Sequence, residues 1–81
     1  MAIEKTKAKV NVRNLAFWET LIDADADVEP AKYLKFGEQI VILGGAITFG
    51  GLFGDKEYFK VNHPYYGVGY VRTEGLKIQE S

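Results

Sequence analysis

An 81-residue chain with a net charge of −1 has room for one domain, residues 1–81, with an ordered core expected over about 8–78. Its 47% hydrophobic and 26% charged residues exclude a disordered chain, and a pI near 5.7 leaves no electrostatic footprint for nucleic acid. It has no cysteine, which excludes a disulfide framework and thiolate chemistry.

Period-two alternation begins at once. Ala8, Val10 and Val12 alternate with Lys7, Lys9, Asn11 and Arg13, which predicts a strand with one dry face. The lysines near the start occupy the place of an apolar secretory core, so no signal peptide is read and a cytoplasmic or virion-associated location is expected. Residues 15–32 lose all periodicity and read as a long loop, with a short helix around 16–22 as the alternative. This stretch holds Phe17, Trp18 and the acidic run Asp23, Asp25, Asp27 and Glu29, closed by Pro30.

Residues 33–36 read as extended, and Gly37 as the turn that follows. Gln39, Ile40, Val41, Ile42 and Leu43 give the strongest strand signal, β-branched and apolar on both faces. Residues 44–54 read as an apolar glycine-rich loop carrying Ile47, Phe49, Leu52 and Phe53. The uncharged stretch that contains it, 39–54, is too short and too broken by glycine to span a membrane. Strands at 57–61, 68–72 and 76–78 follow, separated by a turn at 62–67 with His63, Tyr65 and Tyr66, and a tight turn at 73–75. About five short strands with glycine-rich turns predict an all-β fold, a small closed barrel with Val10, Val12, Ile40, Ile42, Val61 and Val71 pointing inward.

Four pieces in order carry a resemblance: Val10-Asn11-Val12-Arg13, then residues 34–43 with Gly37 before Gln39-Ile40-Val41, then Tyr58-Phe59-Lys60-Val61, then Gly69-Tyr70-Val71. Together they resemble the bacterial SH3 (SH3b) family, which implies an SH3-like barrel with residues 13–37 as an enlarged first (RT-type) loop. Tyr58 stands where that family usually has tryptophan. The resemblance also implies a cell-wall module, so peptidoglycan is the alternative ligand.

Three catalytic or ligand-binding templates fail on their own chemistry. His63 is the sole histidine, able to titrate near neutrality, but no nucleophile motif stands beside it, so no enzyme activity and no catalytic residue are expected. Asp23, Asp25 and Asp27 open like a calcium loop, yet Val28 and Leu34 occupy the positions that template gives to glycine and glutamate. A solvated acidic loop is the reading, with weak Ca²⁺ binding by Asp23, Asp25 and Asp27 as the alternative, and no cofactor is called. After Gly54 comes Asp55 rather than a P-loop lysine, which excludes phosphate cradling.

Binding is therefore assigned to apolar and aromatic side chains. Tyr58 and Tyr70 alternate out of phase with Val61 and Val71 and are expected to be exposed, near Phe17 and Trp18, where SH3-like folds bind. Trp18 and Phe17 have a second reading, as a plug beneath the long loop. For Ile47, Phe49, Leu52 and Phe53 two readings stay open, folding back over the barrel or inserting into a partner. With Tyr65 and Tyr66 these residues form the candidate binding set. The expected function is a non-enzymatic interaction or assembly module, of the kind found among small phage or prophage structural proteins. Its partner is a protein or a second copy, with no nucleic acid and no membrane.

Overall fold

The computed structural model describes residues 5–26, 28–51 and 54–79. They form an all-β fold with one helical turn: β1 (Lys5–Val10), β2 (Asn14–Phe17), α1 (Leu21–Asp25), β3 (Lys32–Lys35), β4 (Gln39–Leu43), β5 (Ile47–Gly51), β6 (Gly54–His63), β7 (Gly67–Arg72), and, after a 3-10 turn at Thr73–Gly75, β8 (Leu76–Ile78). No helix among the described residues is long and apolar enough to cross a membrane.

Every strand pairing among the described residues is antiparallel. The main sheet runs β5-β6-β4-β1-β8, and β7 lies along β6 from Tyr58↔Arg72 to His63↔Gly67. The long β6 therefore pairs with β7 along one edge, and with both β5 and β4 along the other. β2 and β3 make a separate hairpin, tied to β7 by reciprocal backbone bonds between Trp18 and Tyr70 of 3.0 and 2.7 Å. The described pairing leaves β7 and β8 unjoined, so the sheets do not close into a barrel.

The inner face follows the strand period. Ala8, Val10, Ile40, Ile42, Val61 and Val71 are buried together, with Val12, Phe59 and Leu76 packed at the margin. Each fully buried aliphatic chain contributes roughly 1.5–3 kcal/mol relative to exposure. The β2–β3 hairpin lids this face with Leu15, Phe17 and Leu34. Two glycines make room for the lid. A Cβ on Gly69 would fall 2.3 Å from the Phe17 ring, and one on Gly75 would fall 2.3 Å from a Leu15 methyl. In the sequence Gly69 reads as a place where two backbones come close; what approaches it is the Phe17 side chain instead. Gly37, at φ 89°, turns the chain from β3 into β4.

Two expectations are corrected. Residues 15–32 are more than loop: β2 occupies 14–17 and Thr20 caps α1, its hydroxyl accepting from the Asp23 amide at 3.1 Å. Residues 44–54, read as a loop, contain β5, held to β6 from Ile47↔Tyr58 to Gly51↔Gly54. Glycine lowers strand propensity, but β6 offers a ladder and these backbone groups take it.

A second buried cluster lies on the outer face of the sheet. Trp18, Ala24 and Tyr58 form it, with Ala16, Leu21 and Phe49 packed around them. Tyr58 is out of phase with Val61, as the alternation requires, yet its exposure is 0%. The expectation of an exposed Tyr58 is therefore wrong. Its phase was read correctly, but α1, Trp18 and β5 cover the face on which it stands.

Candidate functional site

The expected aromatic groove is not assembled as a surface. Phe17 is buried on the inner side of its own hairpin, and Trp18 is buried beside Tyr58 with its indole N–H donating to the Val28 carbonyl at 2.9 Å. The plug reading of these two residues is the one that fits. Tyr70 is half-buried, its backbone engaged by Trp18. Ile47 and Phe49 are half-buried, and Phe49 packs on the Trp18–Tyr58 cluster. Phe49 does not fold back over a barrel end: it lies in β5, paired with β6, and packs on the outer-face cluster. A polar residue there would open the cluster and cost stability. Leu52 and Phe53 lie outside the described residues, as does Asp27.

Asp23 is exposed at the start of α1. Asp25 is buried, and one of its carboxylate oxygens has no hydrogen-bond partner among the described residues. No group of three His, Asp or Glu side chains among those residues could hold a metal ion.

Of the candidate aromatic residues, Tyr65 and Tyr66 reach solvent, on the β6–β7 turn; Tyr33 and Phe36 of the β3–β4 segment, outside that set, are exposed too. The construction of the β6–β7 turn is specific. His63 ends β6 on the inner face, in phase with Val61, and is 3% exposed. Its Nδ1 accepts the backbone N–H of Tyr65 at 3.1 Å and of Tyr66 at 3.3 Å. Two amide donors converging on Nδ1 fix the ring proton on Nε2, which donates to Glu38 Oε1 at 2.8 Å. The other oxygen of Glu38 accepts the Lys35 amide at 2.6 Å. That bond, then the one from His63, holds the Glu38 carboxyl below its ordinary value of 4.5.

Glu38 also ties the turn to β1, since its carbonyl accepts from the Val10 amide at 2.9 Å and the Gly37 amide donates back to Val10. One residue thus joins three places: its carboxylate links the β3–β4 turn to the β6–β7 turn, and its backbone carbonyl links both to the end of β1. The two tyrosines of that turn are held differently. Tyr66 stacks on the His63 ring at 4.3 Å and 15°, with Lys32 Nζ 5.3 Å from its centroid. Tyr65 meets His63 at 6.0 Å and leaves 88% of its surface in solvent. A groove of about 240 Å³, lined by Lys7, Gln39, Ile40, Val41, Asn62 and Pro64, begins one residue before it.

Both imidazole nitrogens are engaged and the ring is covered, so His63 positions the turn. Sequence reading named Tyr65 and Tyr66 but treated His63 as an ordinary turn residue and passed over Glu38. No local pattern links two residues 25 apart. In comparisons with family models, with curated proteins and with solved structures, nothing matches this chain.

Proposed function

We propose that this chain is a non-enzymatic interaction module of SH3-like design that docks on a protein partner through Tyr65 and its surroundings. The SH3-like reading is supported by the strand order β8-β1-β4-β6-β7, by a long hairpin inserted after β1, and by the 3-10 turn before the last strand. The docking reading rests on one observation: an 88% exposed tyrosine stands on a turn whose amides are locked by a buried histidine. Leaving so large an apolar ring in water is unfavourable, and fixing its backbone in advance reduces the entropy lost on binding. Tyrosine is also among the residues that most often dominate interfaces.

Tyr65→Ser tests this. The expected result is an unchanged melting temperature together with loss of a protein that immobilised wild-type chain retains from extracts of its own cells. Retention of the same proteins by both baits would end the reading. Purified cell walls serve as the second arm. Pelleting of wild-type chain with walls, abolished by the same substitution, would transfer this surface to peptidoglycan.

A further inference from the structure

The chain is nearly neutral, but its charges are segregated. Between Arg13 and Lys32 there is no basic residue, while Glu19, Asp23, Asp25 and Glu29 fall in that interval. β1, β4 and β8 contain no acidic residue, and β1 and β8 between them carry four lysines. Lys7 and Lys9 point to the outer face, opposite buried Ala8 and Val10. Lys9 sits directly across from Lys77 in the β1–β8 register. Like charges in that position destabilise a sheet unless an anion lies between them. Among the described residues, no carboxylate comes within ion-pair distance of Lys7, Lys9 or Lys77, and no cation within that distance of Glu19, Asp23 or Glu29.

The two poles cannot neutralise each other within one molecule. α1 packs against β5 and β7, whereas the lysines stand on β1 and β8 at the far end of the sheet order. The acidic pole has an apolar centre, and the basic pole has a groove. Ile22 on α1 is 72% exposed beside Asp23, and an open groove lined by Lys9, Lys77, Ile78 and Gln79 lies along β8. The acidic pole around the exposed Ile22 is opposite in sign to the groove edged by Lys9 and Lys77, which share the outer face while Ile78 pairs with Ala8 on the other.

We propose that copies of this chain associate head to tail, Ile22 of one seating in the Lys9–Lys77 groove of the next, with Glu19 and Asp23 meeting the lysines. The contact joins two different surfaces, so it generates rings or filaments and not a closed two-fold dimer. The ion pairs are solvent-exposed, and each adds little, so the association is weak and sensitive to salt. It uses neither Tyr65 nor the β6–β7 turn and stands apart from the function proposed above.

Sedimentation velocity of the full chain over a range of concentrations tests it at about 0.01 M and about 1 M salt, between which the screening length falls from ~30 to ~3 Å. Concentration-dependent growth at low salt, lost at high salt, is expected. Lys9→Gln with Lys77→Gln should sediment as a monomer, and so should Ile22→Ser with Asp23→Asn. Circular dichroism checks that both remain folded. Mixing the two variants should give a 1:1 dimer that grows no further, since one intact contact survives between them.

A wild-type chain that stays monomeric at low salt overturns the proposal. Oligomers unaffected by either pair of substitutions also overturn it, as would oligomers lost only on Tyr65→Ser. Retention on heparin by monomeric wild type, lost in the lysine variant, would give the basic face to a polyanion instead.

Discussion

Two buried clusters lie on opposite faces of one sheet and are built by different rules. The inner cluster is aliphatic and comes mainly from alternate positions of β1, β4, β6 and β7, so the pleat alone places Val10, Ile40, Ile42, Val61 and Val71 together. The outer cluster is aromatic and centres on Trp18 and Tyr58, and what buries it is a short helical turn and the edge hairpin β5–β6. The same strand supplies both: Val61 of β6 faces in, Tyr58 faces out, and both are fully covered. Period therefore decides which side a residue takes, while the connections between strands decide whether that side is wet.

The substitution with the largest expected effect tests whether the outer cluster is a true second core. Tyr58→Ala should cost about 3–5 kcal/mol, the range for emptying a large aromatic site, and Val61→Ala should cost less because it removes less volume. Chemical denaturation of both variants makes the comparison, since a change in midpoint at constant slope reports stability. A Tyr58→Ala cost below that of Val61→Ala would mean that the outer face is solvated and that its covering segment contributes nothing.

The contrast also explains how far the sequence could be read. Ile40 and Ile42 alternate with Gln39 and Val41, and Gly69 interrupts a strand where something had to come close, so the inner core and one of its constraints were visible in the residues. Tyr58 was legible in phase but not in environment. Its cover comes from residues 18–25, where a strand end, the Thr20 cap and five residues of helix follow one another too quickly for any period to emerge. β5 was hidden by its own glycines, which argue against a strand until β6 is present to pair with it. In the candidate site, Tyr65 and Tyr66 could be named because turn chemistry is local. Glu38 could not, because its role depends on a register that brings β4 beside β6.

A smaller effect sharpens the boundary between the inner core and its lid. A methyl carbon on Gly69 would stand 2.3 Å from the edge of the Phe17 ring, so Gly69→Ala should cost about 1–3 kcal/mol by overpacking. Phe17→Leu in the Gly69→Ala background should recover part of that loss, although Phe17→Leu alone destabilises. Such compensation is what residues in direct contact show in a double-mutant cycle. Purely additive costs would mean that the hairpin moves aside as a unit, and that the lid is not keyed to the glycine.

The smallest effect concerns the polar link that neither cluster supplies. The carboxyl of Glu38 titrates below its ordinary value of 4.5 in the folded chain, chiefly through the Lys35 amide and then through His63. A group with a depressed folded-state value stabilises fully above its unfolded value and loses that contribution as pH falls through the folded one. Wild-type stability should therefore decline as pH drops below about 4.5, and Glu38→Gln should flatten that part of the curve while lowering stability at neutral pH. Thermal melts across the acid range read both effects. Amide exchange at Tyr65 and Tyr66 adds a local readout, since without Glu38 the His63 ring loses its anchor and both N–H groups should exchange faster even at pH 7. If stability in Glu38→Gln still falls with the same slope, other carboxylates carry the acid sensitivity. The turn that presents Tyr65 would then be held by its own backbone and by the stacking of Tyr66 on His63.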